Sequence, residues 1–201
     1  MFRLLRNLLI LAVLAGIAAL GFTVYHLPDP SYTVQEWMNR DQFGKYDQLI
    51  SDAGTKYGLD PMLVKALVWR ESKFQPDKVG TSGERGLMQV GEAAARDWAR
   101  VSKVEDFEPT DLFDPKVNLD AGAWYLAKAG ERWKGKADPV PFMLAEYNAG
   151  RTRVDRWIKE SGKGDTAEST DLLQWIDFKT TRKYIDDIVA RWRFYKERGR
   201  M

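Results

Sequence analysis

Residues 60–90 read DPMLVKALVWRESKFQPDKVGTSGERGLMQV, and the fold class turns on this stretch. Asp60 before Pro61 is a helix start. The aspartate side chain accepts from free amides of the first turn, and proline lacks an N–H where none is needed. Leu63, Val64, Leu67 and Val68 follow at the intervals of one helical face, which predicts a helix over residues 61–73. Residues 74–85 are rich in Gly, Pro and polar side chains and are expected to form a loop. Glu71 stands four residues after Leu67 and three after Val68, on or beside the apolar stripe. A carboxyl partly withdrawn from water resists ionising, so its pKa rises. A general acid must hold its proton near neutral pH in this way. On spacing alone, the competing reading is a solvated or ion-paired glutamate at a helix end.

Helical spacing continues outward from this segment, and strand-like alternation is nearly absent. Helices are predicted over residues 45–57, 91–100, 116–133, 139–148, 151–160 and 181–198. Residues 161–170 (SGKGDTAEST) read as a mobile surface loop. The expectation is a mainly α globular domain over residues 41–198.

The N-terminal end is of another kind. Residues 8–27, LLILAVLAGIAALGFTVYHL, carry no formal charge if His26 is neutral. At about 1.5 Å per residue they match a hydrocarbon thickness of about 30 Å. Arg3 and Arg6 precede the run, and no Lys or Arg follows until Arg40. The positive-inside rule then keeps the N-terminus in the cytoplasm and exports the remainder. A cleaved signal peptide competes, with a small-residue zone at 15–21, but the run exceeds the usual signal core of about 7–15 residues. Residues 1–27 are thus expected to be a membrane anchor or signal segment. Residues 28–40, opening with Pro28, Asp29, Pro30 and Ser31, are expected to be a linker.

Composition excludes several classes of function. The chain of 201 residues has no cysteine and one histidine, so a disulfide framework, a thiol nucleophile, a Ser-His-Asp site and a multi-histidine metal site find no support. Apart from Arg3 and Arg6, 29 Lys and Arg face 29 Asp and Glu. That balance argues against nucleic acid as a partner. The basic C-terminal stretch with Arg191, Arg193, Lys196, Arg198 and Arg200 is expected to be the solvated side of a terminal helix. The eight tryptophans are expected to pack rather than stack on a ligand, with Trp69 pointing away from Glu71.

Three motifs stand in order: Glu71-Ser72, then Gly86-Leu87-Met88-Gln89, then Tyr147-Asn148-Ala149-Gly150. Eighteen residues separate Glu71 from Gln89. Together these motifs resemble the SLT domain of lytic transglycosylases, the lysozyme-like family that cuts the glycan strands of peptidoglycan. Thr181-Arg182-Lys183-Tyr184-Ile185 is a further echo, similar to the family's closing element, and the similarity covers residues 57–195. The resemblance implies a lysozyme-like fold and cleavage of the MurNAc–GlcNAc β-1,4 bond with a 1,6-anhydro end. It implies no metal and no cofactor; with the apolar run and its flanking arginines, the expectation is a single-pass inner-membrane protein with its catalytic domain in the periplasm. It makes Glu71 the catalytic acid and base. Met88 and Gln89 would line the groove, Tyr147 would hydrogen-bond near the catalytic carboxyl, and Asn148 would shape the same wall. Glycines 83, 86 and 150 would serve tight turns and close approach to the sugar. Ser72 reads equally as an interior hydroxyl or as a substrate contact.

Chemistry fits one carboxylate. Most glycosidases need two at a set separation, and substrate-assisted cleavage is the exception. In that route the sugar's own 2-acetamido carbonyl supports the anomeric centre, and the muramic C6 hydroxyl then attacks. A lysozyme-like hydrolase and a catalytically silent peptidoglycan-binding module are the alternatives. The chain also departs from the family pattern. Gly80 stands where a serine is common, Glu84 and Glu146 where small residues are usual, Thr180 for Glu and Asp177 for Pro. Glu84 and Glu146 are expected to be solvated; the sharper alternative makes one of them a second acid at the groove.

Overall fold

The structure, a computed structural model, describes residues 2–25, 30–38 and 40–199. It divides into two compact units, Met1–Phe43 and Gly44–Met201. In the first, α1 (Phe2–Tyr25) contains a window, Leu5–Phe22, of mean hydropathy 2.1 with none of it buried. By length and apolarity this helix suffices to cross a membrane. His26, Pro28 and Asp29 lie outside the described residues. The linker expected over residues 28–40 is largely helical instead: α2 spans Pro30–Met38, and α3 (Arg40–Gly44) follows. Pro30 opens α2 rather than breaking structure, since proline's fixed φ suits the first turn of a helix.

The second unit holds α4 (Asp47–Lys56), α5 (Pro61–Ser72), α6 (Glu92–Ser102), α7 (Pro115–Trp133), α8 (Val140–Ala149), α9 (Arg151–Glu160), α10 (Ser169–Trp175) and α11 (Lys179–Arg198), each expected except α10. A 3₁₀ turn, Pro109–Phe113, precedes α7. Among the described residues there is no strand, only isolated bridges of Arg85 to Val79 and Val90.

Helix α5 starts as its sequence dictates: the Asp60 side chain accepts from the Met62 amide at 2.9 Å. Its other oxygen accepts from the Trp192 indole at 2.8 Å, tying the start of α5 to α11. The helix is not a half-buried amphipathic one. Every residue from 63 to 69 is buried, because α4 and α11 both pack on it, and a helix covered on all sides belongs to the core. Even Lys65 is inside, its ammonium 2.6 Å from Asp47 of α4 and 5.4 Å from the Tyr195 ring of α11. Helix α8 is the second such element. Residues 141–146 are buried without interruption, and α7, α9 and α11 surround it. The two buried helices both end at one cavity.

Two further regions differ from expectation. Residues 161–170 are not a featureless loop. They hold a 3₁₀ turn, Gly164–Thr166, and the start of α10, whose capping box pairs Glu168 with Asp171. The buried Ala167 and Leu172 anchor this segment. The C-terminal basic stretch is not uniformly solvated either. Arg191 is 3% exposed, its guanidinium 4.6 Å from the Trp69 ring centre and 5.1 Å from that of Phe194. A planar cation stacked on aromatic faces is one of the few charged groups that packs inside at low cost. Arg200 lies outside the described residues.

Candidate active site

Helix α5 stops immediately after Ser72, because Lys73 and Phe74 both take left-handed backbone angles, φ 54° and 61°. The Phe74 side chain is fully buried, which turns the chain inward and off the helix axis. The last carbonyls of a helix lack partners within it. The main-chain oxygen of Glu71 receives the Lys78 ammonium instead. Ser72 is interior: its hydroxyl donates to the Val68 carbonyl at 3.2 Å, which is the backbone-bonded reading.

The Glu71 carboxyl faces a cavity of about 390 Å³ that Lys78, Gly80, Glu84, Gln89, Tyr147 and Asn148 also line. The Tyr184 hydroxyl of α11 donates to its Oε1 at 2.6 Å. Burial pushes the Glu71 pKa from 4.5 up to about 7, against the Tyr184 hydrogen bond and the charges of Arg70 and Lys78. The negative charge of Glu84 pushes in the same upward direction. The acid is thus poised to give and take a proton at neutral pH. Burial also holds the Tyr147 and Tyr184 hydroxyls well above the ordinary tyrosine range, so both remain neutral donors.

Opposite these helix ends, the loop of residues 78–90 forms the other wall. Gly86 sits at φ 79°, and a side chain there would run into Asn118 and the Leu112 carbonyl. Asn118, fully buried on α7, is the clamp. Its Nδ2 donates to the carbonyls of Arg85 at 2.7 Å and Leu112 at 2.8 Å, and its Oδ1 accepts from the Met88 amide at 2.8 Å. Gln89 is held at φ 48°, an uncommon angle for a non-glycine residue. Its Nε2 donates at 3.0 Å to the carbonyls of both Lys78 and Gly86.

Gln89, Tyr147 and Asn148 share the cavity with Glu71. Met88 differs from its expected groove-lining place. Its side chain is fully buried, wedged against α7 where Gly122 leaves room. Only its carbonyl reaches the site, accepting from the Tyr147 hydroxyl at 2.9 Å. The tyrosine bonded to Glu71 is Tyr184, not Tyr147. Asn148 accepts from the Thr181 hydroxyl at 2.9 Å, joining α8 to α11. Of the two unexpected acids, Glu84 lines the cavity. Glu146 is 4% exposed and is neither solvated nor at the cavity. It accepts from the Arg132 guanidinium and from the Trp133 indole at 2.8 Å. Trp69, Trp133 and Trp157 are buried, and no tryptophan lines the cavity. Sequence reasoning missed three supports: Tyr184, Asn118 and Lys78. The echo at residues 181–185 was a signal for the first, and nothing singled out the others. Among the described residues no three His, Cys, Asp or Glu side chains gather to hold a metal.

The transglycosylase SLT domain profile matches residues 48–170. The chain belongs to the SLT domain family. Membrane-bound lytic murein transglycosylase F of Desulfosudis oleivorans is 34% identical over 113 residues, 55% of this chain and 23% of that protein. Membrane-bound lytic murein transglycosylase C of Edwardsiella ictaluri is 35% identical over 126 residues, 60% of this chain and 35% of that protein. The chain therefore spans about a quarter to a third of these relatives' length. Among solved structures, the 70 kDa soluble lytic transglycosylase of Escherichia coli superposes with a TM-score of 0.69 at 24% identity, over 77% of this chain and 24% of that one. Lytic transglycosylase Slt of Pseudomonas aeruginosa gives 0.68 at 25% identity, with the same coverage. The SLT domain has the mainly α, lysozyme-like fold of that family. Tyr184 lies beyond the matched residues, although it touches the acid at the centre of the match.

Proposed function

We propose that the chain is a peptidoglycan lytic transglycosylase whose catalytic domain, residues 41–198, cleaves the MurNAc–GlcNAc β-1,4 bond. One observation carries this reading: Glu71, in a cavity at the junction of two buried helix ends, has a pKa of about 7. The names of the relatives agree with it. Glu71 gives its proton to the bridging oxygen as the C1–O bond breaks, while the sugar's acetamido oxygen closes on C1. Its carboxylate then takes the proton of the muramic C6 hydroxyl as that oxygen attacks C1 and displaces the acetamido oxygen. The product carries a 1,6-anhydro end, and no water is consumed. Gln89, Tyr147 and Asn148 bound the sugar; Tyr184 orients the acid. Arg3 and Arg6, in the first turns of α1 and at the N-terminal side of its apolar run, support an inner-membrane anchor and a periplasmic working side.

Incubating the full chain in detergent with purified sacculi tests the proposal. Released fragments should end in anhydromuramyl residues, lighter than reducing ends by one water. Glu71→Gln should release about a thousandfold less while retaining its helical spectrum, and an active Glu71→Gln variant sinks the proposal. Reducing ends would instead mark a hydrolase, a reading that the second carboxylate in the cavity, Glu84, favours. Binding without release would mark a silent module. Because Glu71 must enter protonated, kcat/KM should fall as pH rises through about 7.

A further inference from the structure

Two side-chain tips fill the space that a side chain at Gly80 would enter. Gly80 is not among the residues with positive φ, so its backbone suits any side chain. A Cβ there, however, would collide with Oε2 of Glu84 and stand 2.9 Å from Oε1 of Gln89. Those two side chains occupy the room above residue 80. The Glu84 carboxylate is oriented by the Ser82 amide, which donates to its Oε2 at 3.1 Å, and its main chain is held by the Gly80 amide, which donates to its carbonyl at 2.7 Å. Gln89 commits its amide nitrogen to two carbonyls, which leaves its oxygen as an acceptor on the same side. The Lys78 ammonium is committed to the Glu71 carbonyl. The loop wall therefore presents a carboxylate and an amide oxygen to a cavity whose other wall carries the acid. Such a wall is complementary to an N–H donor, above all one that gains positive charge during the reaction.

We propose that Glu84 is a second catalytic carboxylate, which accepts the substrate's acetamido N–H and stabilises the charge appearing on that nitrogen. The inference rests on the reaction proposed above. When the acetamido oxygen bonds to C1 and the glycosidic oxygen leaves with the proton of Glu71, the amide becomes a cyclic oxazolinium cation. Its nitrogen keeps its hydrogen, and the positive charge is shared across N, C and O. Glu84 gains and loses no proton; it forms an ion pair with this cation. The pair separates when the C6 oxygen takes C1 and the neutral amide re-forms. The charge of Glu84 is already felt across the cavity at Glu71.

The full chain, its Glu84→Ala, Glu84→Gln and Gly80→Ala variants, and soluble uncrosslinked glycan strands provide the test. Glu84→Ala should lower kcat about a hundredfold, and Glu84→Gln, which keeps an acceptor but no charge, about tenfold. KM should change little in both. Gly80→Ala removes no functional group yet displaces the carboxylate, so it should lower kcat in the same direction. Melting temperatures should stay close to the parent's, separating this role from a structural one. The methylthiazoline of N-acetylglucosamine, a stable mimic of the cyclised sugar, should bind Glu84→Ala about tenfold more weakly. Binding of uncyclised N-acetylglucosamine oligomers should hardly move. An unchanged kcat in Glu84→Ala overturns the inference. So do reducing ends from the parent that Glu84→Ala converts to anhydro ends, since Glu84 would then be activating water. A parent that releases no fragment at all defeats the lytic reading itself, whatever Glu84 does.

Discussion

The two walls of the cavity are built on opposite plans. The helical wall delivers Glu71 from the last turn of α5, Tyr147 and Asn148 from the last turn of α8, and Tyr184 from the second turn of α11. Dense apolar burial of these helices fixes its positions. The loop wall, residues 78–90, has little regular structure; its end is anchored by the buried Leu87, Met88 and Val90, and a few named hydrogen bonds through Asn118, Gln89 and Ser82 fix the rest. Packing spreads the cost of a change over many contacts, whereas a stitched loop concentrates it on single polar atoms. The helical wall should therefore be tolerant in its side chains, and the loop wall brittle at its stitches.

Asn118→Asp should be the sharpest test of that brittleness. The side chain keeps its shape but loses both donated hydrogen bonds and sets an acceptor against two carbonyls. Stability should fall by about 3 kcal/mol in denaturant melts, with most activity lost. An effect under a third of that would mean that the loop is held by packing after all. On the helical wall, Glu71→Gln should stabilise the fold. The folded pKa of about 7 exceeds the ordinary 4.5, so ionisation disfavours folding. Below about pH 4.5 the acid is protonated in both states and costs nothing. As pH rises towards 7 the unfolded chain ionises first and parent stability falls, by up to about 3 kcal/mol. The advantage of Glu71→Gln should open over that window and level off above it; a pH-independent gap refutes the shift. Tyr184→Phe removes a hydrogen bond that lowers the Glu71 pKa. The alkaline limb of the rate profile should move up by about one pH unit. A limb that stays where it is would show that Tyr184 does not act through the acid. Met88→Leu should cost under about 1.5 kcal/mol and leave KM unchanged, as expected of a core residue whose carbonyl alone serves the site.

The same contrast explains what could be read from the chain. Helices announce themselves by periodicity and caps. Asp60-Pro61 and the apolar run behind it place α5 within a residue of its observed end, and α9 falls where its pattern puts it. Helix α10 escaped because its apolar anchors, Ala167 and Leu172, are too few for a repeat, and its capping box starts with Glu rather than Ser or Thr. Within the site, the residues brought together by the motifs were legible. The polar residues that support them were not: Asn118 sits in an otherwise ordinary helix, and its meaning depends on an amide and a carbonyl about 30 residues away. Burial of charge was equally hidden. Glu146, Lys65 and Arg191 look like surface residues in one dimension, and only tertiary pairing or stacking with Arg132, Asp47 and Trp69 brings them inside.

A wall held by a handful of bonds responds to heat differently from one held by a core. Warming frays segments of low local stability well before the cooperative transition, and residues 78–85, none of them buried, are the candidates for that beside two deeply covered helices. Catalysis should then fade several degrees below the temperature at which helical signal disappears, and return on cooling, so long as α5 and α8 have not themselves come apart.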